Sequence, residues 1–175
     1  MLNARNFSLL LIFSFLLTNA ATAQVSQGVF KLRPLAPILS KTAVMGYEHT
    51  IGDHTSFQLE ARYSWGTRTI FNEEVVTRGN LEITPEFRFY LANRKPAPKG
   101  FFIGPYATYS RKFQFDANVD PVNAVAGGAQ IGYQAWLGRR VSLDFFIGGG
   151  IQSDLVPGAN PRANYRSGFA FGFGH

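Results

Sequence analysis

The stretch SFQLEARYSW, residues 56–65, alternates without a fault: Ser56, Gln58, Glu60, Arg62 and Ser64 interleave with Phe57, Leu59, Ala61, Tyr63 and Trp65. A period of two places the first set on one face of a β-strand and the second on the other. LEITPEFRFYL, residues 81–91, repeats the pattern, with Glu82, Thr84, Glu86 and Arg88 set against Leu81, Ile83, Phe87, Phe89 and Leu91. Strands of softer contrast are predicted at about Gly28–Leu39, Ala43–Ile51, Gly100–Lys112, Ala129–Leu137, Val141–Ile151 and Asn164–Gly174, which brings the expected number to eight. The first of these contains Pro34 and Pro37, each of which lacks a ladder donor. No helix-period segment stands among them.

The connectors carry information of their own. Gly52-Asp53-His54, residues 93–99 and Gly138-Arg139-Arg140 are short, whereas residues 66–80, 113–127 and 152–163 are longer. Short turns on one rim and long loops on the other describe an up-and-down barrel of the outer-membrane type, with both termini on the short-turn side. Strands of about ten residues at ~3.3 Å each, tilted near 45°, rise close to the ~25 Å apolar band of such barrels.

The glycines decide which face is wet. Gly128 and Gly132, Gly148 and Gly150, and Gly168, Gly172 and Gly174 share the polar parity of the last three strands. On a face open to solvent, glycine only loosens a strand. Inside a closed eight-stranded barrel, where the interior barely holds side chains, small residues make room for Arg, Glu and Tyr from the opposite wall. The polar face is therefore expected to point inward, with Glu48, Glu60, Arg62, Glu82, Glu86, Arg88 and Asp144, together with Lys31 and Arg33, forming a paired network that plugs the lumen, since unpaired charge there is costly. The aromatic-rich face is expected to meet lipid, with Tyr63, Trp65, Tyr109 and Tyr165 in an upper girdle and Tyr47, Phe57, Phe89, Phe101 and Phe173 in a lower one.

Composition narrows the setting. Arg5, the apolar run Phe7–Leu17 and Ala21-Thr22-Ala23 read as a secretory signal peptide over residues 1–23, leaving a barrel domain over residues 24–175. The chain has no cysteine, which excludes disulfides, thiolate metal sites and a cysteine nucleophile. Its net charge of +6 is spread in pairs such as Arg94-Lys95, Arg111-Lys112 and Arg139-Arg140. That dispersion, with export, argues against nucleic acid and for phosphorylated lipid headgroups. Arg68, Arg78, Arg111, Lys112 and Arg162 are the expected contacts to lipopolysaccharide.

Chemistry is sparse. His49 and His54 flank the first short turn and His175 ends the chain, all on the lower side, away from the outer rim where lipid-modifying barrel enzymes keep their histidine. The loop acids Glu73, Glu74, Asp116, Asp120 and Asp154 do not follow calcium-loop spacing. No cofactor, metal or catalytic residue is expected. Two other readings make different predictions: a lipocalin-like soluble carrier would turn the Phe face inward, and a lipid A modifying enzyme would depend on His49 or Glu60.

The phrases KLRPLAPI, MGYEHTIGDHTSFQLEARYSW, ITPEFRFYL, GFFIGPYATYS and GGAQIGYQAWLGRRVSLDFFIGGG, taken together, resemble an uncharacterised outer-membrane β-barrel family of Bacteroidetes-type bacteria, a DUF3575-like domain of unknown function. The resemblance runs from about Lys31 to Gly150 and implies an all-β outer-membrane barrel without an assigned active site. Outer-membrane strands commonly finish on an aromatic residue read by the outer-membrane assembly machinery, an expected partner during biogenesis; here Gly174 and His175 follow Phe173.

Overall fold

The computed structural model describes residues 28–70, 74–91, 97–114 and 120–174, with the backbone alone at 67–70, 74–77 and 114. The predicted signal peptide, Glu73, Asp116, His175 and the side chains of Arg68 and Glu74 lie outside what is described. Eight antiparallel strands, each paired with its sequence neighbour, close into a barrel: β1 (Gly28–Leu32), β2 (Thr42–Gly52), β3 (Thr55–Ile70), β4 (Glu74–Tyr90), β5 (Gly100–Gln114), β6 (Val122–Leu137), β7 (Val141–Asp154) and β8 (Arg162–Gly174). A short helix, α1 (Ala36–Ser40), lies between β1 and β2.

The registers fix the stagger. Val29 pairs with Glu48, and the ladder continues through Gln58, Glu86, Tyr106, Gly128 and Gly150 to Asn164, whereas Val29 itself pairs with Gly174. The offset, 174 − 164 = 10 residues, is the shear of the barrel. Closure at this stagger requires strands tilted at least as steeply as the ~36° of an eight-stranded barrel with shear eight.

Two sequence expectations are corrected. The first strand stops at Leu32 instead of Leu39, because Pro34 and Pro37 cannot donate to a ladder and the chain turns into α1, which carries proline in its first turn. The long connectors at 66–80 and 113–127 are largely strand: β3 and β4 pair on to Ile70↔Glu74, and β5 and β6 to Lys112↔Val122. Pro85 and Pro105 cause no bulge. The β4–β5 register stays constant from Arg78↔Gln114 to Tyr90↔Phe102, and the pairing simply lapses at residues 84–85 and 87–88. Thr84 and Thr108 bridge this seam with their hydroxyls at 2.9 Å.

The lower rim is tightly laced. Asp53-His54 and Gly138–Arg140 turn the chain, the latter with Gly138 at φ 72°, a left-handed conformation that glycine adopts without strain. Gly174 N–H reaches Arg140 O at 2.8 Å, Ala97 N–H reaches Asp53 O at 2.8 Å, and Trp136 Nε1 donates to Pro98 O at 2.6 Å.

Parity resolves the question of the two faces. Ser56, Gln58 and Glu60 are buried inside the barrel, while Phe57, Leu59, Tyr63 and Trp65 stand exposed on its outer wall. Around the rest of the wall, Met45, Leu81, Phe87, Phe89, Phe101, Ile103, Ile131, Phe145, Ile147 and Ile151 are exposed in the same way. The glycines face inward as expected, but they accommodate neighbours from adjacent strands more than side chains from across the lumen. Along the row Phe102↔Gly132↔Phe146↔Gly168, large and small residues alternate. A Cβ on Gly168 would come within 2.7 Å of both the Phe146 ring and Arg33 Cζ.

Candidate functional site: a charged lumen and a polar mouth

Because β-strands alternate, each strand delivers every second residue to the lumen, and the chain has spent many of those positions on charge. In the lower half, Lys31 pairs with Glu48 at 2.7 Å and also bonds Asp144. Arg88 lies 2.6 Å from Asp144, 2.9 Å from Glu86 and 3.9 Å from Glu48, with its guanidinium 4.2 Å from the Phe102 ring centroid. Tyr90 donates its hydroxyl proton to Glu48 at 2.6 Å, and Ser56 donates to the same carboxylate oxygen.

Glu86 links this layer to the next. It forms an ion pair with Arg166 at 2.6 Å and accepts from Gln130 Nε2 at 2.7 Å. Arg33 and Arg166 both reach Glu60, at 2.5 and 3.4 Å, and lie over the Phe146 ring. Higher still, Arg62 stands 3.5 Å from both Glu60 and Glu82. Five acids (Glu48, Glu60, Glu82, Glu86, Asp144) therefore face five bases (Lys31, Arg33, Arg62, Arg88, Arg166), and the lumen is charge-neutral.

The structure thus brings together all seven residues expected in the interior network. Sequence reasoning missed Arg166, Tyr90, Gln130 and Gln134, all buried in the lumen. Strand parity could have found each one: Tyr90 continues the series Glu82, Thr84, Glu86, Arg88, and Arg166 shares the parity of Gly168.

On the outer wall, the registers set the heights. At ~3.3 Å per residue and a tilt near 45°, Tyr63, Tyr109 and Tyr165 share one level within about 2 Å, and Trp65 stands roughly 4 Å above them. Phe89, Phe101 and Phe173 share a second level roughly 18 Å lower.

The cations expected to contact lipopolysaccharide do not act as one outward patch. Arg111 is exposed on the outer wall. Lys112 and Arg162 instead converge on Asp154, at 3.3 and 2.9 Å, and Arg78 shares their inward parity. The reason is register: one residue's difference along a strand exchanges outside for inside. Arg78 and Lys112 border a cavity of about 470 Å³ at the upper mouth, lined also by Ser64, Trp65, Asn80, Phe113, Asp120 and Asp154 among others.

His49 is exposed outside while Glu60 is buried inside, so the wall of the barrel separates them. Among the described residues, no group of three or more His, Asp or Glu is placed to hold a metal ion. No helix among the described residues is long and apolar enough to cross a membrane, which says nothing of a β-barrel.

Fold and lumen together define a small, closed, antiparallel eight-stranded barrel with a charged, neutralised interior and an apolar exterior. The chain belongs to the family described as "Protein of unknown function (DUF3575)", whose model matches residues 9–154. No curated protein and no solved structure matches it.

Proposed function

We propose that this protein is a non-enzymatic outer-membrane β-barrel, inserted with its apolar wall against acyl chains and its lumen plugged. It acts through its outer face, in membrane integrity or in contact with lipopolysaccharide or a partner. The observation that carries this reading is the inversion of the usual order of a soluble protein: charge is buried at the axis and large apolar side chains cover the outside. Soluble proteins seldom expose a contiguous apolar surface of this extent. A carrier for apolar ligands would need the opposite arrangement. The two aromatic levels, roughly 18 Å apart with apolar side chains between and beyond them, suit the ~25 Å band and interfacial girdles of such barrels.

Two measurements test the proposal. Detergent-extracted protein run on a gel without boiling is expected to migrate as a compact, faster band than the boiled sample. In intact membranes, Leu59→Cys and Phe87→Cys should resist a water-soluble thiol reagent; ready modification at both would end the membrane reading. Expression should also leave the mass of lipid A unchanged, and a change abolished by His49→Ala or Glu60→Gln would overturn the non-enzymatic part.

A further inference from the structure

The upper mouth differs from the lumen beneath it in one respect: its charges are not closed among themselves. Below, every lumen guanidinium has a carboxylate within 3.5 Å. At the mouth, Lys112 and Arg162 share the single carboxylate of Asp154, and Arg78 forms no ion pair or hydrogen bond among the described residues. The Nε of Arg78 is nonetheless buried, so its desolvation is uncompensated. Beside it, Asn80 donates to Glu82 at 2.7 Å but leaves its own buried Oδ1 without a partner.

Arg78, Asn80, Lys112 and Asp154, with Asp120, border one cavity of about 470 Å³, within the roughly 300–1,000 Å³ of small-molecule sites. Its cations suit an oxyanion, and a guanidinium fork matches phosphate in two-point contact. Asn80 Oδ1 and Asp154 can accept from hydroxyl groups. Acids and cations mixed in this way would repel a bare polyphosphate, yet they suit a molecule with one charged end and several hydroxyls.

We propose that the mouth is a binding site for a phosphorylated sugar, with its phosphate on Arg78 and Lys112 and its hydroxyls on Asn80 and Asp154. The site lies roughly 8 Å above the tyrosine level, so the same chemistry could arrive as a soluble sugar phosphate or as the headgroup of a glycolipid. Binding of a soluble probe in detergent micelles does not depend on where the barrel resides, so failure here and failure of the membrane reading are separately visible.

Glucose 1-phosphate titrated into the full-length folded protein in a calorimeter is expected to give a saturable heat of binding, and glucose is not. Arg78→Ala should weaken the probe tenfold or more, and Lys112→Gln severalfold, with the unboiled gel band confirming that each variant is folded. Displacement of the probe by lipid A in phosphatidylcholine vesicles would identify the headgroup as the source, and failure to displace it would identify the soluble sugar phosphate. A flat titration with folded protein, equal binding of glucose, or full affinity in both variants overturns the proposal.

Discussion

Replacing Arg88 by methionine tests whether the lumen is a dry plug or a water-filled tube. The guanidinium contacts Asp144 at 2.6 Å and Glu86 at 2.9 Å, lies 3.9 Å from Glu48, and is fully buried. Methionine keeps much of the length and the contact with Phe102 but removes the charge, leaving five lumen carboxylates facing four cations. Removing one partner of a buried, hydrogen-bonded pair costs about 3–5 kcal/mol, whereas a pair screened by water costs ~0–1 kcal/mol. With a urea dependence of ~1–3 kcal/mol per molar, the dry case lowers the unfolding midpoint by about 2 M. Tryptophan emission of the micelle-bound barrel during urea titration measures this directly. The double variant Arg88→Met with Glu86→Gln restores neutrality and is expected to recover ~1–3 kcal/mol of the loss. A midpoint for Arg88→Met within about 0.5 M of the parent would refute the reasoning, because the lumen charges would then behave as surface charges do.

Other consequences follow from packing and register. Gly168→Val must displace Phe146 and Arg33, each 2.7 Å from the added Cβ, and should cost ~1–3 kcal/mol in the same urea titration. Amides of residues 84–88 on the β4–β5 seam, where pairs lapse, should exchange with deuterium faster than those of the unbroken β5–β6 ladder, as read by mass spectrometry of peptides. Leu59→Arg, on the exposed outer wall, should destabilise the barrel by ~2–4 kcal/mol in a bilayer and by far less in water; equal stability in lipid vesicles would count against insertion.

The parts of the barrel legible in the sequence are those where its two faces differ most. Residues 56–65 and 81–91 alternate sharply because one side is packed among charges and the other is apolar, and both strands appear in register where they were expected. Residues 66–80 do not alternate in that way, although β3 and β4 run through most of them. The same loss of contrast placed Arg78, Lys112 and Arg162 with outward cations, when their parity turns them toward the mouth. Tyr90 and Arg166 escaped for a different reason: the parity of Glu82–Arg88 was not carried on to Tyr90, and a cation among glycines was not followed to its partners. Pairings across the lumen, such as Lys31 with Asp144 or Arg33 with Glu60, depend on the shear of ten residues, which no single strand reveals.

That shear also explains why the plug is needed. β1 pairs with β8 through only Val29–Leu32 against Phe171–Gly174, so Arg162–Ala170 has no β1 partner, and the barrel is closed by its shortest ladder. The chain beyond Leu32 turns into α1, whose Ile38 and Leu39 are each 79 % exposed and add no strand to the wall. Side chains of the same segment reach where backbone pairing stops. Lys31 bonds Glu48 on β2 and Asp144 on β7, while Arg33 bonds Glu60 on β3 and rests on Gly168 of β8. The tie to Asp144 and the contact with Gly168 span the weak β1–β8 closure, while Glu48 and Glu60 anchor the segment on its other side. The buried charges that look extravagant as a core are therefore placed to hold β1 against the rest of the cylinder, and their neutrality is what allows them to do so away from water.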